Sequence, residues 1–492
     1  MKSSSPSQTG SGLAHWMQEV PLELARAADR LSNEPVHDLR VALRRCRSMA
    51  DSFRAIDPDK DWKKMRRQAT VLFDSLGALR DCQVMMEWVE RLGRESDPVT
   101  HGLTAYLQGK ESSIKHQAQA AIEVFDHKQW DQWTQSLPRR TLRLPLNSEV
   151  FQALALERLN AARALQAQAL KTGSDAALHR LRIAIKKFRY VVESFLPILH
   201  RDWRDDLKHV QDSLGEIHDL AVLRQAVDQL SKDAPSESRG HWLEIIQNER
   251  ATRIQQYRAS MSGGKSLWLK WRAGLPRGKA ARHASLARLQ AWSSFLDSDV
   301  QHSRRVARFA TQLYDGLERA GVLHGEHKDD RELLRAAATV HEVGRVAGNK
   351  KHHKKTEEMI VQLRQLVGWK RQDVATMARV ARYHRGTLPR PGKLRDMPLE
   401  QRNRIKLLAG VLRLANALDA DHNGSIRRFT VNRSNGFVVV QATGLMADSP
   451  LAETIAEARH LLEITCNLPV LVRPMPKRRP RRKAARPKSN AK

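Results

Sequence analysis

Apolar and basic positions recur at helical spacing in the N-terminal half of the chain. At about 100° per residue, a helix through residues 36–53 gathers its apolar side chains on one face. These apolar positions are Leu39, Leu43, Cys46, Ala50 and Phe53. A neighbouring stripe carries protonatable side chains, at His37, Arg40, Arg44 and Arg47. The pattern predicts an amphipathic helix that packs on its apolar face and presents a basic stripe.

The same pattern occurs a second time further along the chain. His179 matches His37, and the basic positions Arg40, Arg44, Arg45 and Arg47 are matched by Arg182, Lys186, Lys187 and Arg189. A second block, residues 74–81, is matched in the same order by residues 212–219. Two matching blocks in one order predict a duplicated helical unit.

The duplicated stripe is a candidate binding surface. Cations one turn apart on a helix repel one another, and a single stripe of this kind is ordinarily just solvated surface. Its recurrence favours a bound polyanion, since phosphate oxygens accept charge-assisted hydrogen bonds from arginine and lysine. A second basic edge follows a tryptophan in each copy, at Lys63 and Arg67 and at Arg204 and Lys208.

Two aspartates end the second matching block. Asp81 and Asp219 follow Gly77 and Gly215, which we interpret as a glycine-containing turn. An aspartate there is expected to cap a helix or pair with an arginine. We therefore predict structural roles for both.

The C-terminal half has a different organisation. Residues 259–285, with Gly263, Gly264 and Pro276, are interpreted as a linker. Helical periodicity then runs from about residue 286 to 425. Residues 427–440 alternate around Asn435-Gly436, which predicts a β-hairpin, and residues 454–463 return to a helical period.

Composition and charge restrict the class of binding partner. The chain has 492 residues with 85 Lys+Arg against 54 Asp+Glu, a formal net charge of +31. The partner is therefore expected to be a polyanion. Three scattered cysteines without C-x-x-C spacing argue against disulfides and zinc fingers. The sequence contains no apolar run of 18 residues, so a membrane-spanning helix is not expected. We expect a cytoplasmic location.

The N-terminal motifs resemble the CHAD family, the conserved-histidine α-helical domain. The resemblance is carried by the His-x-x-Arg-x-x-x-Arg/Lys-Arg/Lys opening and the Leu-Gly-x-x-x-Asp block, and covers about residues 15–258. It implies two helical bundles related by a pseudo-twofold, whose basic residues line a groove that binds inorganic polyphosphate, and association with polyphosphate granules. His218 stands where the first copy has Arg80, so the two halves are not expected to bind equally.

The C-terminal motifs resemble an HD-type domain, and more closely the C-terminal region of the exopolyphosphatase and guanosine pentaphosphate phosphohydrolase family. The motifs are residues 340–344 (VHEVG), 383–386 (YHRG) and 412–419 (LRLANALD). The resemblance implies an HD-like helical domain over residues 286–472. The family's actin-like catalytic lobes have no counterpart in this sequence.

The resemblance also implies a candidate divalent-metal site at His302, His341 and Glu342. An active HD pattern has aspartates where this chain has Glu342 and Asn416, and a neutral amide removes a negative charge from the site. We therefore predict a non-catalytic HD-like domain. Residues 350–355 (KKHHKK) are predicted to be a basic loop that contacts a polyanion, because its lysines would oppose a bound cation.

The sequence thus predicts a mainly α-helical protein: a duplicated CHAD bundle, then an HD-like domain ending in a small hairpin and helix. Disordered termini are expected at residues 1–14 and 473–492. The favoured function is polyphosphate binding. No cofactor is assigned beyond the candidate divalent metal of the HD-like domain. One alternative is metal-dependent phosphohydrolysis of polyphosphate or a phosphorylated nucleotide. Nucleic-acid binding is another, although aromatic residues for base stacking make up only 5% of the chain.

Overall fold

The computed structural model describes residues 12–29, 31–230, 235–323, 329–348, 350–363, 366–388, 391–394 and 397–475. The chain forms two compact units. The first comprises residues up to Phe295 with Leu366–Gly368, and the second comprises Leu296–Gln365 and the residues from Trp369 onward. In the described part of the chain, no helix is both long and apolar enough to cross a membrane.

The regular secondary structure of the first unit is entirely helical in its described residues. Its helices are α1 (Leu13–Asp29), α2 (Asn33–Phe53), α3 (Lys60–Leu92), α4 (Pro98–Glu123), α5 (His127–Thr141), α6 (Glu149–Thr172), α7 (Asp175–Phe195), α8 (Pro197–Leu230), α9 (Ser236–Met261), α10 (Leu267–Ala273) and α11 (Gly278–Leu296).

The helices repeat in length and order, as the duplicated sequence predicts. Helices α2 and α7 each have 21 residues, α3 and α8 have 33 and 34, and α4 and α9 each have 26. Within each repeat, consecutive helices pack against one another, and α2 packs against α7 between the repeats. The predicted duplicated helical bundle is confirmed.

The predicted apolar face is the core of this unit. Leu39, Leu43, Cys46, Ala50 and Phe53 are all fully buried. The ring of Phe53 meets that of Phe195 edge-on at 5.5 Å, and Phe195 stacks on Phe151 at 4.3 Å. Aromatic pairs of this kind contribute roughly 0.5–1.5 kcal/mol beyond their burial. The matched C-terminal ends of α2 and α7 are therefore held together.

The predicted linker is a packed part of the first unit. Helix α9 extends to Met261, α10 spans Leu267–Ala273, and the first eight residues of α11 also lie within residues 259–285. Trp268 and Trp271 of α10 are buried. The glycines and basic residues suggested a flexible segment, but two large aromatic side chains stabilise it as structure. The first compact unit extends to Phe295.

The second unit combines helices with a small sheet. Its helices are α12 (Val300–Arg319), α13 (Asp330–Val340), α14 (His352–Val361), α15 (Arg371–Arg382), α16 (Leu399–Ala417), α17 (Pro450–Ala458) and α18 (His460–Cys466), with 3-10 helices at Val343–Ala347 and Pro391–Leu394; its strands are β1 (Arg428–Ser434), β2 (Phe437–Thr443) and β3 (Val470–Pro474).

The predicted hairpin is confirmed. Strands β1 and β2 pair antiparallel, with Ser434 opposite Phe437. Asn435 and Gly436 between them have φ of 49° and 78°. These positive values suit a two-residue turn that favours asparagine followed by glycine.

A third strand was not predicted, because its five residues lie outside the alternating segment. Strand β3 pairs parallel to β2 and includes Arg473 and Pro474, so part of the predicted tail belongs to the sheet. At the other end, α1 begins at Leu13, inside the segment predicted to be disordered. Residues 1–11 and 476–492 lie outside the described residues.

A buried carboxylate joins helices of the first repeat. Asp57 is fully buried, accepts a hydrogen bond from the Trp62 indole (Nε1 to Oδ2, 2.8 Å), and binds Arg140 of α5 through Nε (2.5 Å) and Nη2 (2.7 Å). Removing one partner of such a pair leaves the other desolvated and unpaired.

Asp57→Ala is therefore expected to lower the free energy of unfolding by on the order of 3 kcal/mol. Thermal and urea denaturation followed by circular dichroism would measure it. Glu87→Ala is the control, since its pair with Arg80 is on the surface, with 61% of the Glu87 side chain exposed. A surface pair contributes about 0–1 kcal/mol. Equal losses in both variants would contradict the assigned role of Asp57.

Candidate functional site

The two basic stripes meet across the repeats. The first, His37, Arg40, Arg44 and Arg47, lies on α2, and the second, His179, Arg182, Lys186 and Arg189, lies on α7. Lys186 has Arg182 of its own helix and Arg44 of α2 as its two strongest positively charged neighbours. Packing of α2 against α7 thus brings part of each predicted stripe together. We call Arg44, Arg182 and Lys186 the central cations.

The central cations repel one another in a partly desolvated place. Burial, followed by the charges of Arg182 and Arg44, lowers the pKa of Lys186 to about 8. Among the described residues, none of the three has a carboxylate within ion-pair distance. The Nε of Arg182 is also buried without a hydrogen-bond partner there. The site has a hydrogen-bond donor without a partner and uncompensated positive charge. A bound anion would accept the hydrogen bond and neutralise the charge.

Two aspartates lie near the central cations. Asp219 of α8 and Asp81 of α3 both act on the charge of Lys186. Burial raises the pKa of Asp219 to about 6 against the opposing charge of Arg182, and Asp81 adds to the rise. Gly77 and Gly215 lie inside continuous helices and not in turns, so the predicted capping role is wrong.

The first repeat holds its arginines differently from the second. Arg40 lies over the ring of Phe73 at 4.5 Å and donates to the Phe73 carbonyl (3.2 Å). Gly77 makes room, since a Cβ there would come within 3.0 Å of the Arg40 guanidinium. Arg47 lies over the same ring at 4.2 Å. At the repeat offset, the second copy has Gln211 in place of Phe73, so Arg182 and Arg189 lack this platform.

The histidine difference reinforces the asymmetry. His218, which replaces Arg80, lies 4.9 Å from the ring of His179. Burial and the charge of Arg182 lower the pKa of His218 to about 4. The side chain is therefore neutral at pH 7, where Arg80 is charged.

Arg45 and Arg189 are used within the bundle. Arg45 of α2 pairs with Glu193 of α7 at 2.7 Å, and Arg189 lies 3.8 Å from the same carboxylate. The Glu193 carboxylate offsets the positive charges of Arg45 and Arg189, which were both predicted to bind the ligand. These contacts indicate that Arg45 and Arg189 fix α2 to α7 beside the central cations.

The remaining predicted cations are exposed. They are Lys63, Arg67, Lys187, Arg204 and Lys208. Arg204 bonds to Asp205 at 3.3 Å and Lys208 to Asp212 at 2.7 Å. Surface pairs of this kind are weak and do not prevent ligand contact.

In the second unit, the predicted metal residues converge. His302 and His341 lie with Glu342 so that one ligand atom from each falls within 4.8 Å of the others. All three are buried. Asn416 joins them, with Oδ1 lying 3.0 Å from His302 Nε2 and 3.1 Å from His341 Nε2.

Hydrogen bonds orient the imidazoles. His341 Nδ1 donates to the Ala338 carbonyl (2.7 Å), and His302 Nδ1 donates to the carboxylate of Asp419 (2.8 Å). Burial lowers the pKa of His341 to about 3, so this ring is neutral and its Nε2 carries a lone pair. Such a lone pair can accept a hydrogen bond from an amide N–H or bind a cation. Carboxylate and carbonyl partners on Nδ1 are typical of metal-binding histidines.

A second group shares the same carboxylate. Glu342, His352 and His384 also place ligand atoms within 4.8 Å of one another. His352 Nε2 lies 3.3 Å from Glu342 Oε2, and His384 Nε2 lies 3.5 Å from Oε1. Burial opposes ionisation of Glu342, but hydrogen bonds from these two histidines hold its pKa well below its usual range. Arg345 also forms an ion pair with this carboxylate.

The position of His352 corrects the predicted basic loop. His352 begins α14 and is buried against Glu342 and His384, while Lys350, Lys351, Lys354 and Lys355 are exposed. Flanking lysines concealed this, because the sequence does not show that the helix turns its first histidine inward. His352 and His384 are thus absent from the predicted metal set. The separated histidines of the C-terminal motifs were the available signal.

These features define a mainly helical protein with a duplicated basic bundle and a second unit built around buried histidines. The protein contains a CHAD domain at residues 10–228 and a Ppx/GppA phosphatase domain III at residues 281–454. These domains indicate a polyphosphate-related function.

Comparison with solved structures also finds the CHAD domain of the plant Ricinus communis. It is 22% identical, covers 50% of this chain and 88% of its own, and has a TM-score of 0.39. A search of curated proteins finds no significant match.

The raised pKa of Asp219 predicts how anion affinity depends on pH. Its carboxylate is charged above a pKa of about 6 and opposes an anion bound at the central cations. Affinity for long-chain polyphosphate should therefore rise about three- to tenfold as the pH falls from about 7.5 to 5. Fluorescence titration at constant ionic strength would measure it.

Asp219→Asn should remove most of this pH dependence and give high affinity throughout. Asp202→Asn, on the exposed side of the same helix, is the control and should behave as wild type. An unchanged pH profile in Asp219→Asn would contradict the role assigned to this carboxylate.

Proposed function

We propose that the protein binds inorganic polyphosphate through the two basic stripes, with the central cations as the main contact. The observation that carries the proposal is the convergence of Arg44, Arg182 and Lys186, from both repeats, without carboxylate partners among the described residues. A polyanion offers closely spaced phosphates that can bridge α2 and α7 and relieve the repulsion between these cations.

The other predicted contacts extend this surface. His37, Arg40 and Arg47 continue it along α2, and His179 and Arg189 along α7. The exposed cations are further contacts, namely Lys63, Arg67, Lys187, Arg204 and Lys208. Arg45 contributes chiefly by fixing the helices through Glu193. Cytoplasmic location and association with polyphosphate granules remain part of this proposal.

The surface favours a ligand without bases. Single-strand binders stack bases on aromatic side chains. Near the stripes, the Phe73 ring is covered by Arg40 and Arg47 and is not available for stacking. Polyphosphate should therefore compete better than RNA at equal phosphate concentration and salt.

Charge reversal at the central cations tests the proposal. Arg182→Glu combined with Lys186→Glu should weaken polyphosphate binding by at least about a hundredfold, because two charge-assisted contacts are replaced by repulsion. Circular dichroism should show unchanged helicity. Titration with labelled polyphosphate at two salt concentrations would measure the affinity.

A charge-matched control separates a site from general attraction. Arg201→Glu with Arg224→Glu changes net charge equally on exposed positions of α8. It should lower affinity only slightly and mainly at low salt. Equal losses in both double variants, or full affinity in the first, would refute the central site.

A second proposal, favoured by the orientation of the imidazoles, is a divalent-metal site at His302, His341 and Glu342. Imidazole Nε2 atoms and a carboxylate are suitable ligands, and the hydrogen bonds at Nδ1 fix the direction of both imidazole rings. A bound divalent ion could supply an activated water for phosphohydrolysis. Asn416 contributes only a dipole, so we propose that this unit is non-catalytic.

Metal titration tests the second proposal. His341→Ala should remove binding of Zn²⁺ or Mn²⁺, and Asn416→Asp should strengthen it about tenfold or more because it adds a charged ligand. Isothermal titration and metal analysis after dialysis would measure both. The control is His460→Ala, whose side chain is 63% exposed in the same unit. Equal metal content in wild type and His341→Ala would exclude the site.

Phosphate release distinguishes binding from catalysis. Wild type with Mg²⁺, Mn²⁺ or Co²⁺ is expected to release no phosphate from polyphosphate or guanosine pentaphosphate above background. Turnover that disappears in His341→Ala would instead establish the metal-dependent phosphohydrolase alternative.

A further inference from the structure

A cavity in the second unit has charged groups that neither of the proposed functions uses. Its volume is about 360 Å³, within the range of roughly 300–1,000 Å³ typical of small-molecule sites. The buried histidine cluster lies along one part of it. Its other parts are lined by arginines and by the helix α17.

Two of the arginines carry uncompensated charge. Arg413 donates to the carbonyls of Tyr383 (3.3 Å) and Gly386 (2.8 Å), and burial lowers its pKa. Arg385 is exposed to the cavity. Within the described residues, neither has a carboxylate at ion-pair distance. Arg345 differs, because Glu342 neutralises it.

The turn after α15 places these groups. Gly386 has φ of +77°, and a Cβ there would lie 3.2 Å from His353 Nε2. Glycine meets both requirements, since it adopts positive φ readily and has no side chain. Its carbonyl accepts from Arg413, which fixes the turn that carries Arg385.

The lining of the cavity also includes a negatively charged group. Thr454 and Glu457 of α17 line the cavity. Glu457 has no cation at ion-pair distance among the residues described, although Arg385 and Arg413 line the same space. The lining of the cavity therefore offers two cations, a carboxylate and a hydroxyl.

We propose that this cavity binds a small phosphate monoester bearing hydroxyl groups, with its phosphate on Arg385 and Arg413 and its hydroxyls on Glu457 and Thr454. Guanidinium groups suit phosphate oxygens, and a carboxylate accepts hydrogen bonds from hydroxyls. A long polyphosphate fits poorly, because it would meet Glu457 with negative charge and needs an open groove. The site is thus separate in chemistry from the basic stripes.

Calorimetric titration of the intact protein tests the proposal. The probes are ribose 5-phosphate, glucose 6-phosphate, glycerol 3-phosphate, methyl phosphate and inorganic phosphate, each with EDTA present. At least one hydroxylated ester should bind about tenfold more tightly than methyl phosphate. If none does, or if polyphosphate displaces the ester competitively from this cavity, the proposal is wrong.

Two exposed substitutions assign the ends of the ligand. Arg385→Ala should weaken every phosphate probe about tenfold. Glu457→Ala should abolish the preference for hydroxylated esters while leaving inorganic phosphate affinity unchanged. Arg304→Ala and Glu453→Ala, outside the cavity, are matched controls and should have no effect.

The outcome is independent of the polyphosphate proposal. The variant Arg182→Glu with Lys186→Glu should retain full affinity for the ester, because both substitutions lie in the first unit. Loss of ester binding there, or full ester binding in Arg385→Ala, would overturn the assignment.

Discussion

Packing of α2 against α7 is the constraint on which the first unit depends. The two helices share one sequence pattern, so burying their apolar faces also brings their adjoining basic stripes together. The stacked and edge-on rings of Phe53, Phe151 and Phe195 hold one end of this contact. Arg45 and Glu193 join the helices beside it. Burial of the apolar faces thereby offsets the electrostatic repulsion between the cations of the two helices.

Duplication produces similar helices without producing equal halves. In the first repeat, the Phe73 ring and Gly77 support Arg40, whereas in the second, Gln211 provides no ring. Replacement of Arg80 by a neutral His218 removes one charge from the second repeat. Lys186 and Arg182 consequently keep donors for a ligand, while Arg40 and Arg47 are already held by the protein. The surface has a centre displaced towards the second repeat.

The sequence was sufficient for features that depend on local periodicity. The apolar faces, the repeat and the Asn435-Gly436 hairpin each follow from residue spacing, and each is present. Features that depend on distant contacts could not be predicted. Burial of Trp268 turns an apparent linker into packed helix, and β3 pairs with β2 only after two intervening helices. Burial of His352 likewise depends on Glu342 and His384.

The histidine cluster illustrates how tertiary contacts change the chemical meaning of a residue. Glu342 could serve either group of histidines, yet it also pairs with Arg345. A cation bound at Glu342 would compete with this guanidinium for the carboxylate. Metal affinity therefore depends on whether Arg345 stays paired with Glu342. Arg345 also lines the cavity that contains Arg385 and Arg413. An anion in that cavity would attract the Arg345 guanidinium away from Glu342, and the Glu342 carboxylate would then be free to bind a metal ion. Anion and metal binding in this unit would therefore support each other through one arginine.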